Sequence, residues 1–470
     1  MKDIFKIAWR NLWRNRRRTT ITAASIFFAI FFAICMRSFQ LGTYDFMIKQ
    51  LIEAYTGYLQ VQQKDYLDDP SIDNAFEASP ELLKKINSDP NVKVAVPRIE
   101  SFALASTGNL SKGVMVSGIS PEQERKMSNP AHQLVRYRLT SQKIALILQD
   151  KSIPAETVDK IKSLENQSFI SKSNLMTDLG LTPDDPLLLD KICKLTTMKG
   201  RYLQADDQCV LISDLLSKYL KANVGDSIVL MGQGYQGVSA ANIYPICGIV
   251  KLPSPELDNK LVYMPIDQAA TFFSLTGQVT SIAINLKNTD AMKETQKRLA
   301  YLDPVNLSVK NWEEMNPTLK QQIQGDSESG KVFLAVLYII IFFGVFGTVQ
   351  MMISERWREF GMMVAIGMKR GKLALIVAIE MLFLGFIGAV SGMLLASPCI
   401  VIGHYYPYTM TGEMARMYQD MGFAPVMPMA LFDSYFFLQG VVIFLMVILA
   451  SYLPIRSIMK LNVTQALHGN

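Results

Sequence analysis

The chain has 470 residues, half of them hydrophobic, which is enough for two or three soluble domains, yet its apolar residues gather near the start and in the last third. That clustering is a membrane pattern and excludes a single large soluble core. The net charge of +6 is modest and sits largely at the flanks of the apolar runs, which argues against a nucleic-acid binder.

Residues 1–18 read as an interfacial helix. Ile4, Phe5, Ala8, Trp9, Leu12 and Trp13 share one face and Lys6, Arg10 and Arg14 another, so indoles meet the headgroup zone and cations meet anionic lipid. Arg16, Arg17 and Arg18 then stop the chain at the surface, and residues 19–41 form a first span. The apolar run is longer than a signal-peptide core and no A-x-A-like site follows it, so the span is expected to stay uncleaved.

Residues 42–330 hold no further span. Strands are predicted at Gly57 to Gln62, Val92 to Val96, Gly113 to Gly118, Val210 to Ile212, Ser227 to Met231, Ile246 to Val250, Leu261 to Met264 and Ser281 to Asn285. Helices are predicted at Ser79 to Asn87, Ser213 to Leu220, Asp267 to Phe273 and Thr289 to Ala300, which makes an α+β domain. Five cysteines (Cys35, Cys193, Cys209, Cys247 and Cys399) make no metal-ligand spacing with the three histidines. Cys209 and Cys247 can pair in an oxidising compartment, while three cysteines in the central region leave free thiols an equal alternative.

Residues 331–353 are the second span, where Gly344 and Gly347 suggest close helix approach. A short charged segment follows at 354–372, in which Trp357, Phe360, Val364 and Met368 line one helical face. The third span is 373–403, with Gly388 and Gly392 making a GxxxG and Glu380 within its length, either a helix-packing acid bonded to a polar neighbour such as Gln350 or a residue with a role in gating. A polar loop occupies 404–433, with Arg416 against Glu413, Asp420 and Asp433; the fourth span is 434–455 and a tail covers 456–470. Lys and Arg crowd the N-terminus, the 354–372 segment and the tail, so the positive-inside rule puts all three in the cytoplasm. The long domain is then on the opposite side.

The 354–372 segment carries a signature. Glu355-Arg356, Glu359-Phe360-Gly361 and Ala365-Ile366-Gly367, closed by Lys369, Arg370 and Lys372, resemble the ER…E(I/F)G…A(L/I)G pattern of FtsX-like permease domains in LolC/LolE and MacB-type ABC transporters. Pieces of the central domain resemble the LolC/LolE branch, namely GYLQVQQKDY from Gly57, GVMVSGISPEQE from Gly113, GRYLQADDQ from Gly200 and KLVYMPIDQAATFF from Lys260. The resemblance implies four transmembrane α-helices and a large α+β periplasmic domain with porter-like and Sabre-like lobes. It also implies a bacterial inner-membrane permease subunit, itself no enzyme, that releases lipoproteins. Glu355, Arg356, Trp357, Arg358, Glu359, Phe360, Gly361, Ala365 and Gly367 would couple it to a separate LolD-like ATPase dimer, which holds the ATP and Mg²⁺. A second permease subunit, a lipoprotein substrate and a LolA-like chaperone are the other implied partners. Lateral access for the substrate is expected along Phe28, Phe31, Phe32, Met36, Phe39 and Met47 of the first span and Leu337, Ile341 and Phe342 of the second. Alternatives within the resemblance are a MacB-like mechanotransmission pump and an FtsX-like regulator of cell-wall hydrolases. The sequence departs from the family at about 131–199, where a mostly helical insertion is expected, broken at Pro154, Pro183 and Pro186.

No catalytic, metal or cofactor site is expected in this chain. Gly325 to Lys331 matches the opening of a P-loop, but Val332 stands where a Mg²⁺-binding hydroxyl is needed, and Asp326 and Glu328 repel phosphate. His132, His404 and His468 are scattered, and no G-x-S-x-G elbow occurs.

Overall fold

A computed structural model describes every residue except 1, 15, 150–154, 180–185, 303–304, 411–413, 415–416, 419–425, 464–465 and 467–470. Pro154, Pro183, Glu413, Arg416 and Asp420, singled out above, lie outside the described residues. The chain divides into a helical unit (residues 1–46, 318–410 and 426–470) and an α/β unit (residues 47–317 and 411–425).

The helical unit contains α1 (Lys2–Arg14), α2 (Arg16–Ile48), α3 (Pro317–Glu355), α4 (Trp357–Ala365), α5 (Arg370–Tyr405) and α6 (Ser434–Met459). Thr19–Ile48 of α2, with α3, α5 and α6, are long and apolar enough to cross a membrane. The helices outrun the expected spans because polar contacts carry them past the apolar stretch. Tyr44 donates to Asp326 Oδ2 at 2.5 Å and Gln40 Nε2 to the Asp326 carbonyl at 2.9 Å, pairing the ends of α2 and α3. Gly325 to Lys331 lies inside α3, so no phosphate-cradling loop exists there.

Small residues let α5 approach its neighbours. A Cβ at Gly388 would meet Ile26 Cβ at 2.7 Å, one at Gly392 the Phe27 carbonyl at 2.8 Å, and one at Gly385 the Phe444 ring at 3.3 Å. Gly344 and Gly347 behave differently from expectation. A Cβ at either would meet nothing within 4 Å, because both look away from the other described helices.

Nine strands form the main sheet of the α/β unit: β1 (Leu59–Gln63), β2 (Val92–Thr107), β3 (Leu110–Ile119), β4 (Val210–Ser213), β5 (Ser227–Gln233), β6 (Ser239–Val250), β7 (Leu261–Pro265), β8 (Ser281–Leu286) and β9 (Leu307–Asn311). Their order is β9-β1-β8-β2-β3-β7-β4-β6-β5, so the first and last strands of the unit meet at one end. β2 is long enough to pair twice. Its first half bonds β8 and its second half bonds β5, so β2, β3, β7, β4, β6 and β5 close into a ring. Ala103, Ala105, Val114, Val116, Ile228 and Leu230, on one face of their strands, are buried in the main apolar core.

The other face carries a buried ionic cluster. Arg98 is fully buried, with Nη2 2.6 Å from Glu124 Oε1 and Nη1 donating to the Tyr55 carbonyl at 2.5 Å. Tyr55 closes the π-helical turn Lys49–Thr56, so this cluster fastens the chain entering the domain to the sheet. Within 131–199, the described residues from Tyr137 to Cys193 form a core of their own, built from Leu139, Ile144, Ile161, Phe169, Leu175 and Ile192. Arg138 and Ser168 hold that core to Asp214, at 2.5 and 2.6 Å. Of the two thiol alternatives, the structure takes the disulfide, Cys209–Cys247.

Candidate functional site: the segment between the second and third spans

Helix α3 stops at Glu355 and α4 begins two residues later, with Arg356 out of helical geometry (φ −99°, ψ 9°). Gly367 (φ +107°) then turns the chain into α5, a conformation that a residue with a Cβ resists. The apolar face of α4 packs as its spacing predicts. Phe360 is 1% exposed, and Trp357, Val364 and Met368 are partly buried in the same cluster as Leu461 and Ala466 of the tail. A Cβ at Gly361 would sit 2.8 Å from Ala466 Cβ, so glycine lets the tail close on α4.

A polar clasp fixes the start of the segment. Arg356 Nη1 lies 3.0 and 3.3 Å from the two oxygens of Glu380, and Asn11 Nδ2 donates to Glu380 Oε1 at 2.7 Å. Glu359 accepts from Arg14 and, at 3.4 Å, from Arg356. The hydrogen bond from Arg14 holds the Glu359 carboxyl below its ordinary value. Two expectations change here. Glu380 is partnered by Arg356 and Asn11 instead of Gln350, because the kink at Arg356 swings the guanidinium back onto α5. Helix α1 also does more than lie on lipid: Ala8 is fully buried, and the Trp9 and Phe5 rings meet Phe383 of α5 at 5.4 and 6.2 Å. Trp9 and Trp13 remain about half exposed.

The nine expected coupling residues therefore divide. Arg356, Phe360 and Gly361 face inward, Trp357 and Glu359 are half-buried, and Glu355, Arg358, Ala365 and Gly367 are exposed. The most exposed large apolar side chain of the segment is Ile366, at 87%, followed by Met362 at 50%. Arg358, Lys369, Arg370 and Lys372 of the same stretch are exposed too and bring positive charge. Met362 and Ile366 were absent from the expected set, although the i, i+4 row Arg358, Met362, Ile366 lies opposite the packed row and was readable.

Along α2, Phe28 and Phe32 are exposed and stack at 6.2 Å, Phe31, Met36 and Phe39 are half-buried, and Met47 is buried in the α/β unit. Leu337, Ile341 and Phe342 of α3 are half-buried against the helical core. Asp207, Cys209 and Cys247 lie together as metal ligands would, but the cysteines are disulfide-bonded and Asp207 is held by Arg201 at 2.5 and 2.7 Å. That donor set does not fit a metal.

Residues 331–463, from the second span through the clasp to the tail, match the FtsX-like permease C-terminal family. This part of the chain is an FtsX-like permease domain. Relatives carry matching names. An uncharacterized ABC transporter permease of Methanocaldococcus jannaschii is 23% identical over 289 residues, 58% of this chain and 65% of that protein. The lipoprotein-releasing system transmembrane protein LolC of Neisseria meningitidis serogroup B is 22% identical over 188 residues, 38% of this chain and 44% of LolC. An uncharacterized ABC transporter permease protein of Mycobacterium tuberculosis is 24% identical over 200 residues, 42% of this chain and 22% of that protein. The chain thus spans less than two thirds of the length of each of these relatives. Among solved structures, the periplasmic region of MacB from Actinobacillus actinomycetemcomitans aligns at TM-score 0.31 with 12% identity, over 59% of this chain and 95% of that one. The extracellular domain of the noncanonic ABC-type transporter YknZ from Gram-positive bacteria aligns at 0.28 with 13% identity, over 54% and 99%. The family match covers residues 331–463, and the sequence relatives that the chain resembles are named as ABC transporter permeases and as LolC.

Proposed function

We propose that this chain is the inner-membrane permease subunit of an ABC transporter that releases lipoproteins, driven by ATP hydrolysis in a separate LolD-like ATPase dimer. The observation that carries the reading is the segment 354–372: a short helix held by polar contacts to α1 and α5, with Met362 and Ile366 exposed on the same segment as the exposed cations Arg358, Lys369, Arg370 and Lys372. An isoleucine this exposed beside arginines and lysines suits a protein partner with an apolar notch and an acidic border. In this reading the segment and both termini are cytoplasmic, the α/β unit is periplasmic, and a second permease subunit, identical or homologous, completes the pathway.

Cargo chemistry explains the need for ATP. Each buried CH₂ of a lipid anchor holds by ~0.8 kcal/mol, so extracting a multiply acylated protein costs on the order of tens of kcal/mol. Closure of the ATPase would move α4, and the clasp to α1 and α5 would carry that motion into the spans as rigid-body displacement. The aromatic rows on α2 and α3, Phe28 and Phe32 above all, would line lateral access for the acyl chains, and a LolA-like chaperone would receive them. LolC is the relative that supports lipoproteins as cargo, through its name.

The test is release from proteoliposomes that hold the chain with its co-purified ATPase. ATP should move a triacylated lipoprotein into the soluble fraction, and a non-hydrolysable analogue should not. Sustained ATP hydrolysis with the lipoprotein left in the bilayer would overturn the reading.

A further inference from the structure

Part of the outer surface of the strand ring is apolar where a solvated face is expected to be polar. Phe102 and Leu104 of β2 point away from the core and are 58% and 42% exposed. Register places Met115 of β3 beside Phe102, Met231 of β5 beside Leu104, and Ile243 of β6 beside Val229 of β5, all on that outer face. Met231 and Ile243 are 41% and 61% exposed. Four adjacent strands thus share one apolar strip.

At its Phe102–Met115 end the strip runs into a half-open cavity of about 230 Å³ walled by Leu67, Pro70 and Met315. Gln62 and Glu100 also line the cavity. Both oxygens of Glu100 are occupied, by Tyr55 at 2.5 Å and Ser281 at 2.9 Å. Gln62 is 1% exposed, and its Nε2 has no partner among the described residues. A buried donor left this way is a standing penalty that an incoming acceptor relieves.

These features select a ligand chemistry. Arg98 serves both Glu124 at 2.6 Å and Glu100 at 3.7 Å, so two carboxyl groups share one guanidinium; with one neutral donor beside them, this favours an uncharged carbonyl and disfavours an anionic head. The cavity is smaller than the ~300–1,000 Å³ of sites that enclose a whole small molecule, so it takes one part of a longer chain. We propose that the cavity and strip bind an acyl chain of a lipid-modified polypeptide, the ester or amide carbonyl toward Gln62 and the methylenes along Phe102, Leu104 and Met231. The half-open mouth leaves the polypeptide in solvent. The choice of a lipid-modified polypeptide over a membrane phospholipid rests on the lipoprotein reading; the preference for a neutral carbonyl does not.

The experiment uses the full chain in nanodiscs without ATPase or ATP. Three photoreactive probes carry the same diazirine acyl chain: a diacylglyceryl-cysteine peptide, the free fatty acid, and a phosphatidylethanolamine in the bilayer. The lipopeptide is expected to label peptides spanning Phe102 to Met115 at least about fivefold more than either other probe. Gln62→Leu is expected to reduce that labelling about fivefold, the loss of one neutral hydrogen bond, and Phe102→Asp to abolish it. Phe102 is exposed, so its variant stays folded and decides the matter if Gln62→Leu does not fold. Equal labelling by the free acid or the phospholipid, labelling confined to the helical unit, or Phe102→Asp labelling like the unaltered chain would each overturn the proposal. Because no ATP enters, the result is separate from the release assay. Release with an unlabelled cavity removes this site alone, and labelling without release removes the transport reading alone.

Discussion

The clasp at Arg356 makes a prediction that can be worked through. Arg356→Met leaves the Glu380 carboxylate, in a residue 1% exposed, with Asn11 at 2.7 Å in place of the guanidinium contacts at 3.0 and 3.3 Å. Removing one partner of a buried ion pair costs about 3–5 kcal/mol. The Arg356 side chain is 13% exposed, which favours the lower end. About 3 kcal/mol is roughly a hundredfold rise in the population with the 354–369 segment undocked. Replacing both partners, Arg356→Met with Glu380→Met, removes the stranded charge together with the bond and should return close to the starting stability. Amide hydrogen exchange on the full chain in nanodiscs reads the segment directly. The single variant should exchange far faster across residues 357–365 and the double variant near the original rate. A single variant that exchanges like the unaltered protein, or a double variant as fast as the single, would refute the reasoning.

Ile366→Asp should leave the thermal midpoint within about a degree, since the side chain is 87% exposed, while weakening ATPase binding at least tenfold in a pull-down titration. Gly388→Leu should cost about 1–3 kcal/mol by overpacking against Ile26, 2.7 Å from the new Cβ. Gly344→Leu, with nothing within 4 Å of its Cβ, should be nearly neutral in the same thermal melts. Reducing Cys209–Cys247 should lower the midpoint of the α/β unit, with a loss of about 2–4 kcal/mol readable by chemical denaturation with and without reductant.

Much of the architecture was legible because its signals are local. The four spans follow from runs of apolar residues, and all eight predicted strands exist, since alternation between core and solvent leaves a period of two. β9 was missed because Leu307–Asn311 sits at the edge of the sheet, where Ser308 and Lys310 dilute the pattern. The ring closure through β2 and β5 was not readable, because which strands pair is decided by contacts distant in sequence. At the candidate site, the packed face of α4 followed from the spacing of Trp357, Phe360, Val364 and Met368. The clasp did not, because Asn11, Arg356 and Glu380 come from three elements and meet only once a kink reorients the arginine. Gly344 and Gly347 show the converse. Glycines in a span permit a close approach without requiring one.

The partners of this chain decide what it does. Mass spectrometry of the full chain purified from membranes in mild detergent, reading proteins and acylated peptides together, tests that most directly. The prediction is an ATPase in stoichiometric amount together with acylated lipoproteins, and loss of the ATPase from the Ile366→Asp variant. An ATPase accompanied by cell-wall hydrolases, or by an adaptor and channel, would contradict lipoprotein release, and no ATPase at all would contradict the coupling role of residues 354–372.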